Sequence, residues 1–177
     1  MTPTRIPNVV FHTRVRNDAL GGPNPFEWRA ITSQDVFAGK RIVLFALPGA
    51  FTPACSDSHL PGYERFHDDF RQLGVDQVVC LAVNDAFVMF QWASSRNIEK
   101  VFMLPDGNAD FTRRMGMLVD RSHHGMAMRS WRYSMYVADG VIEKLFAEPD
   151  VRDNPDGVGL SVSDAETMLA WLRSTKR

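Results

Sequence analysis

Cysteine is scarce in this chain: two in 177 residues, Cys55 and Cys80. That number excludes a disulfide framework, and neither belongs to a Cys-x-x-Cys pair. Neither a G-x-x-x-x-G-K-[ST] nor a G-x-G-x-x-G string occurs, so a phosphate loop has no support. His123 and His124 are adjacent and lack the spacing of two ligands on one helix face, so they read as a solvated loop pair rather than a metal site. Charge of one sign is missing as well. Twenty Lys and Arg against 21 Asp and Glu leave a net charge of −1, with no global attraction for nucleic acid or an anionic membrane. The longest apolar run, Ile42 to Pro48, is too short to span a bilayer. In the first thirty residues Arg5, Arg14 and Arg16 interrupt any continuous apolar segment of the signal-peptide kind. A cytoplasmic, reducing location is the expectation.

What is present is ordinary for a folded protein: 45% apolar and 23% charged residues, in a length that suits one domain spanning 1–177. Val9-Val10-Phe11 reads as a short strand and Gly21 to Pro25 as a loop. One helical turn follows at Asp35 to Gly39. Arg41 to Leu47 and Gln77 to Val83 are apolar runs of strand length, the pattern of strands covered on both faces. Between them Tyr63, Phe66, Phe70 and Leu73 mark one amphipathic helix closed by Gly74. Asn84-Asp85 caps a helix running to about Asn97, Val101 to Leu104 is a third strand, and Phe111 to Met115 a short helix. Asp139-Gly140 sits between Trp131–Val137 and Val141–Ala147 as a hairpin turn. Ser163-x-x-Glu166 has the spacing of a capping box for a terminal helix through Met168, Leu169 and Leu172. Alternating strands and helices followed by a hairpin predict an α/β domain with a mixed sheet.

Cys55 follows the first apolar strand at the start of a helix, where the partial positive charge of the backbone N–H groups favours thiolate. Thr52, three residues upstream, offers a hydroxyl, and Pro48 and Pro53 stiffen the loop between. A nucleophilic thiol here needs a cation from elsewhere. Arg132 and Arg129, at the start of the hairpin strand, are the candidates; Arg132 points away from its neighbours Trp131 and Tyr133 if the strand alternates. Cys80, inside an apolar strand, reads as a small buried hydrophobe.

Pro48-x-x-x-Thr52-x-x-Cys55 resembles the active-site signature of the peroxiredoxins. The longer string Phe45 to Ser56, with His59-Leu60-Pro61 after it, resembles the type II, glutaredoxin-linked subfamily. Val83 to Met89, Leu104 to Asn108 and Arg132 to Met135 are similar to that subfamily too, in the same order. The resemblance implies a thioredoxin-like fold and reduction of hydrogen peroxide and alkyl hydroperoxides, with no metal, haem or flavin. It implies Cys55 as the peroxidatic nucleophile, Thr52 as hydrogen-bond partner of thiolate and peroxide, Arg132 as the charge that stabilises the thiolate and the breaking O–O bond, and Pro48 as a shield against water. It also suggests a homodimer.

Recycling is where the chain departs from part of the subfamily. Val162 stands in the Gly159-Leu160-Ser161-Val162-Ser163 segment where some members resemble one another in carrying a resolving cysteine, and no cysteine lies beyond Cys80. The expectation is a one-cysteine mechanism reset by an external thiol, glutathione with or without glutaredoxin, or thioredoxin. Two other classes remain open on the sequence: a redox-responsive binding protein using the same oxidation as a signal, and a thiol–disulfide oxidoreductase, which Thr at position 52 in place of Cys disfavours.

Overall fold

The computed structural model describes residues 3–175. The chain opens with two antiparallel strands, β1 (Val10–Arg16) and β2 (Phe26–Thr32), where the sequence pattern suggests only a short strand and a loop. Beyond Phe11 charged and aromatic residues are interleaved, so no apolar run marks the rest of β1 or β2. Their surface is held by cation–π packing instead: the Arg14 guanidinium lies over the rings of Phe26, Trp28 and Phe87. Thr32 caps α1 (Ser33–Phe37) in a reciprocal pair with Asp35.

β3 (Arg41–Ala46) is buried from its second residue onward. Beyond the loop that follows it, a π-helical turn at Cys55–His59 runs into α2 (Leu60–Arg65), and α3 (His67–Gln72) follows. The single helix expected from Tyr63 to Leu73 is thus interrupted at Phe66, whose φ of −93° and ψ of 10° leave the helical region. The apolar phase survives the break, and the Tyr63 and Phe70 rings stack at 5.6 Å. β4 (Gln77–Ala82) leads to α4 (Ala86–Ser95), where Asp85 accepts from the N–H groups of Phe87 and Val88. Then come β5 (Phe102–Pro105), α5 (Asp110–Arg114) and a small antiparallel pair, β6 (Leu118–Asp120) with β7 (Met128–Ser130), which the sequence pattern does not reveal. β8 (Tyr133–Ala138) and β9 (Val141–Ala147) form the expected hairpin, with Asp139 and Gly140 both at positive φ, and α6 (Ala165–Thr175) follows. The cap of α6 is Asp164, which accepts from the Thr167 N–H; Ser163, expected in that role, turns inward and hydrogen-bonds Glu148.

The main sheet has the order β5-β4-β3-β8-β9, the first three strands parallel and the last two antiparallel to their neighbours. This is the mixed α/β sheet of the thioredoxin-like fold. Alternation along β3 sends Val43 and Phe45 into one apolar layer and Ile42, Leu44 and Ala46 into the other. The first layer holds the helices after the loop, with Tyr63, Phe70, Met89, Trp92, Met168 and Leu172, and it also holds Cys55. Within it, the buried Trp92 indole donates to Ser56 Oγ at 3.0 Å, tying α4 to the residue after the thiol. Ser56→Ala would leave that N–H unsatisfied. The expected loss is about 1–3 kcal/mol of unfolding free energy, measured by urea denaturation with an unchanged m-value.

Candidate active site

Residues 48–52 connect β3 to the thiol helix, and the loop is fixed at several points. The Ala50 N–H donates to Asn84 Oδ1 at 2.9 Å, and the Thr52 hydroxyl donates to the Gly49 carbonyl at 2.8 Å. Phe51 holds a left-handed conformation, φ 64°, which costs a non-glycine residue about 1 kcal/mol. Pro48 and Gly49 are buried at the base of this turn. Ser56 N–H makes the first helical bond, to Thr52 O, so the N–H groups of Ala54 and Cys55 lie ahead of the helix hydrogen bonds. Five residues on, the Leu60 N–H bonds back to Cys55 O, the wide spacing of a π turn. The Cys55 side chain is buried, and its thiol is free.

Arg132 precedes β8 by one residue. Trp131 and Tyr133 pack into the opposite layer, so Arg132 turns toward the thiol layer, as the alternation argument expects. Its Nη2 donates to Cys55 Sγ at 3.3 Å and its Nη1 to His59 Nδ1 at 2.9 Å. Its Nε is buried with no acceptor among the described residues. His59 is buried as well, and its Nε2 meets the Ser163 carbonyl at 3.0 Å. A carbonyl can only accept, so the ring is the Nε2–H tautomer and Nδ1 is free to accept from Arg132. Burial first, then the neighbouring Arg132 charge, push its pKa down from 6.5 to about 3, so the ring is neutral in working conditions. The layer around it is apolar and aromatic: Phe45 lies 4.0 Å from Tyr63 in a stack, and Tyr63 donates to the same Ser163 carbonyl.

The expected site residues are therefore placed as follows. Cys55 and Arg132 are in contact. Thr52 lies one turn ahead of the thiol, and its hydroxyl proton is held by Gly49, which leaves oxygen lone pairs to offer; no hydrogen bond joins it to the sulfur among the described residues. Arg129, the alternative cation, does not reach the sulfur. It donates to Met126 O at 2.8 Å and Val83 O at 3.3 Å, and it lies so close to Gly49 that an added Cβ would stand 3.0 Å from Nη1. Arg129 buttresses the loop. Cys80 faces the same layer as Cys55 from β4, fully buried, and burial raises its thiol pKa well above the ordinary value, with Cys55 adding to the effect and Arg132 opposing it. His123 and His124 lie exposed in a 3-10 turn remote from these contacts, with His123 Nε2 at 3.1 Å from the Pro155 carbonyl.

His59 and Glu148 escape the sequence reading. His59 could have been found: it stands four residues after Cys55, on the same helical face. Glu148, in Ala147-Glu148-Pro149, carries no signal of its own. The buried neutral His59 makes the protein acid-sensitive. Between pH 6.5 and about 3 the unfolded chain takes up a proton that the folded ring refuses, so protons favour unfolding and stability falls as pH falls. The expected loss from this residue is on the order of 2 kcal/mol between pH 6.5 and 5. Urea midpoints across that interval should drop in the wild type and drop less steeply in His59→Asn.

Known proteins resemble this chain in sequence and in fold. The Redoxin family profile matches residues 26–169. The peroxiredoxin sll1621 of Synechocystis sp. is 56% identical over 176 residues, covering 99% of this chain and 93% of its own. Among solved structures, the Plasmodium falciparum antioxidant protein, a 1-Cys peroxiredoxin, superposes with a TM-score of 0.89 at 35% identity over 96% of this chain and 98% of its own. Reduced Prx3 of Vibrio vulnificus in complex with hydrogen peroxide superposes with a TM-score of 0.83 at 38% identity, over 99% of this chain and 97% of its own. Likeness of this extent, in sequence and in backbone together, makes the chain a member of the peroxiredoxins, the thiol peroxidases of the Redoxin family.

Proposed function

We propose that this single-domain peroxiredoxin reduces hydrogen peroxide and alkyl hydroperoxides through Cys55 alone. An external thiol of the cytoplasm would reset it, glutathione with or without glutaredoxin, with thioredoxin as the other donor of that class. The observation that carries the reading is the Arg132 guanidinium, which meets the sulfur through Nη2 and keeps a buried Nε–H without a protein acceptor. A peroxide oxygen supplies that acceptor. In the reaction the Cys55 thiolate attacks the terminal peroxide oxygen, an S–O bond forms and the O–O bond breaks. The electron pair leaves on the distal oxygen, which takes a proton and departs as water or alcohol, and Cys55 becomes a sulfenic acid. Arg132 and the Cys55 N–H face the charge that develops on oxygen. Thr52, with its own proton on Gly49, accepts from the peroxide O–H and orients it. Pro48, buried under the loop, limits access of water. One glutathione then forms a mixed disulfide with release of water, and a second frees the thiol as glutathione disulfide.

The burial of Cys80 in a central strand supports the one-cysteine reading, as do Val162 in the C-terminal segment and the likeness to a 1-Cys peroxiredoxin. The likeness to a relative solved with hydrogen peroxide supports the substrate class. A homodimer is supported by the exposed rings of Phe51, Phe87, Phe90 and Trp28, of which Trp28 and Phe87 pair edge to face at 5.4 Å.

With glutathione as donor, Cys55→Ser should abolish peroxide consumption and Cys80→Ser should leave most of it; equal loss in both would make Cys80 a resolving residue. Arg132→Lys should slow the peroxide step about 100-fold, the worth of a transition-state donor, in stopped-flow single turnovers. Gel filtration across a concentration range should show a dimer that Phe87→Glu shifts to monomer; a wild-type monomer at high concentration removes that part of the reading.

A further inference from the structure

The active-site arginine is the end of a closed ring of hydrogen bonds that the peroxide chemistry does not itself require. Glu148, 3% exposed, lies directly after β9. One carboxylate oxygen accepts from the N–H groups of Ser161, Val162 and Ser163 at 2.9, 3.0 and 3.0 Å and from Ser163 Oγ at 2.7 Å. The other accepts from Ser161 Oγ at 2.5 Å. Burial pushes this carboxyl up, but the donors from Ser161, Val162 and Ser163 outweigh it and hold its pKa at about 2. The segment so gripped presents the Ser163 carbonyl to His59 Nε2, and His59 Nδ1 takes the Arg132 Nη1 proton. The backbone closes the circuit, because Glu148 N–H donates to Arg132 O at 3.0 Å and Trp131 Nε1 donates to Glu148 O at 2.8 Å.

We propose that His59 and Glu148 are positioning residues for peroxide reduction, holding the Arg132 guanidinium in the one orientation that serves the Cys55 sulfur. This rests on the reading of Cys55 and Arg132 as the reacting pair. A guanidinium at the end of a long side chain turns about its last bonds unless both arms are held. Here Nη2 is held by the sulfur and Nη1 by His59, which fixes the plane and with it the direction of the free Nε–H. Sulfur alone cannot do this through the cycle, since it changes charge and gains an oxygen. His59 can, because it does not titrate near neutral pH and its ring is locked by Ser163. Glu148 acts one step further out: without its charge the five donors of residues 161–163 lose their common acceptor, and the carbonyl that sets the His59 tautomer moves. Tyr63, donating to the same carbonyl, and the Glu148 charge are the other polar groups that face this ring from the helix and the loop.

The experiment separates positioning from mere support. Second-order rates of Cys55 with hydrogen peroxide and with iodoacetamide are measured for wild type, His59→Leu, His59→Asn, Glu148→Gln and Glu148→Asp, each with near-UV circular dichroism. Alkylation needs a thiolate but no oriented donor for a leaving oxygen. The ratio of peroxide rate to alkylation rate should therefore fall about tenfold or more in His59→Leu and Glu148→Gln, the worth of a charge-assisted hydrogen bond. It should recover in part in His59→Asn, whose Oδ1 can replace Nδ1 as acceptor, and in Glu148→Asp. In an Arg132→Lys background, His59→Leu should cost about twofold or less, because its effect passes through the guanidinium. An unchanged ratio in variants with native circular dichroism, or full additivity with Arg132→Lys, overturns the proposal. If Glu148→Gln does not fold, the His59 pair and the double variant decide. A wild-type protein no faster with peroxide than free cysteine would overturn the peroxidase reading itself, and is seen before any variant is compared.

Discussion

The contact between the Arg132 guanidinium and the Cys55 sulfur is the interaction around which the rest is arranged. A charged side chain with almost no exposure is costly to bury unless its donors are used. The chain meets most of that condition with a neutral histidine on one arm and a sulfur on the other, leaving the Nε nitrogen without a partner among the described residues. Everything that holds the His59 ring in place, from the aromatic stack of Phe45 and Tyr63 to the Ser163 carbonyl, therefore also holds the arginine. A polar ring of this kind inside an apolar layer leaves few alternative arrangements, since each broken link strands a buried donor or acceptor.

The thiol is brought to that charge by local backbone geometry. The loop from Pro48 to Thr52 is shaped by the left-handed Phe51, the Asn84 side chain and the Thr52–Gly49 bond, and Arg129 fills the space over Gly49 from behind. The π turn closed by the Leu60 N–H to Cys55 O bond places His59 four residues after the thiol, with its ring 5.0 Å from that of Phe45 on β3. Regular α-helical winding would rotate the residues after Cys55 relative to it. The irregular turn and the buried ring are consistent with each other: the first sets where His59 stands, and the second keeps it there.

Much of the chemistry was legible from residue order. Pro48, Thr52 and Cys55 lie within one short segment, and alternation along the hairpin strand turns Arg132 away from Trp131 and Tyr133, while the family resemblance favoured it over Arg129. The apolar runs that became β3 and β4 are visible because both faces of each strand are covered. What escaped did so for physical reasons. β2 and the part of β1 beyond Phe11 are held at the surface by an arginine over aromatic rings, and their mixed composition resembles a loop. Ser163 has the spacing of a helix cap, but a buried carboxylate 15 residues upstream competes for it and wins, leaving the cap to Asp164.

Sequence by itself determined the α/β class, through the period of apolar residues, and put forward Cys55 and Thr52 by their short spacing and Arg132 by the peroxiredoxin resemblance. Only the tertiary structure decided how the cation is held. His59, Glu148 and Ser163 are drawn from a helix, a strand end and a loop separated by as many as 104 residues, and no local pattern encodes their meeting. The partner of a buried polar group is whichever group the fold brings within hydrogen-bond distance, and that distance exists only once the sheet and its helices have packed.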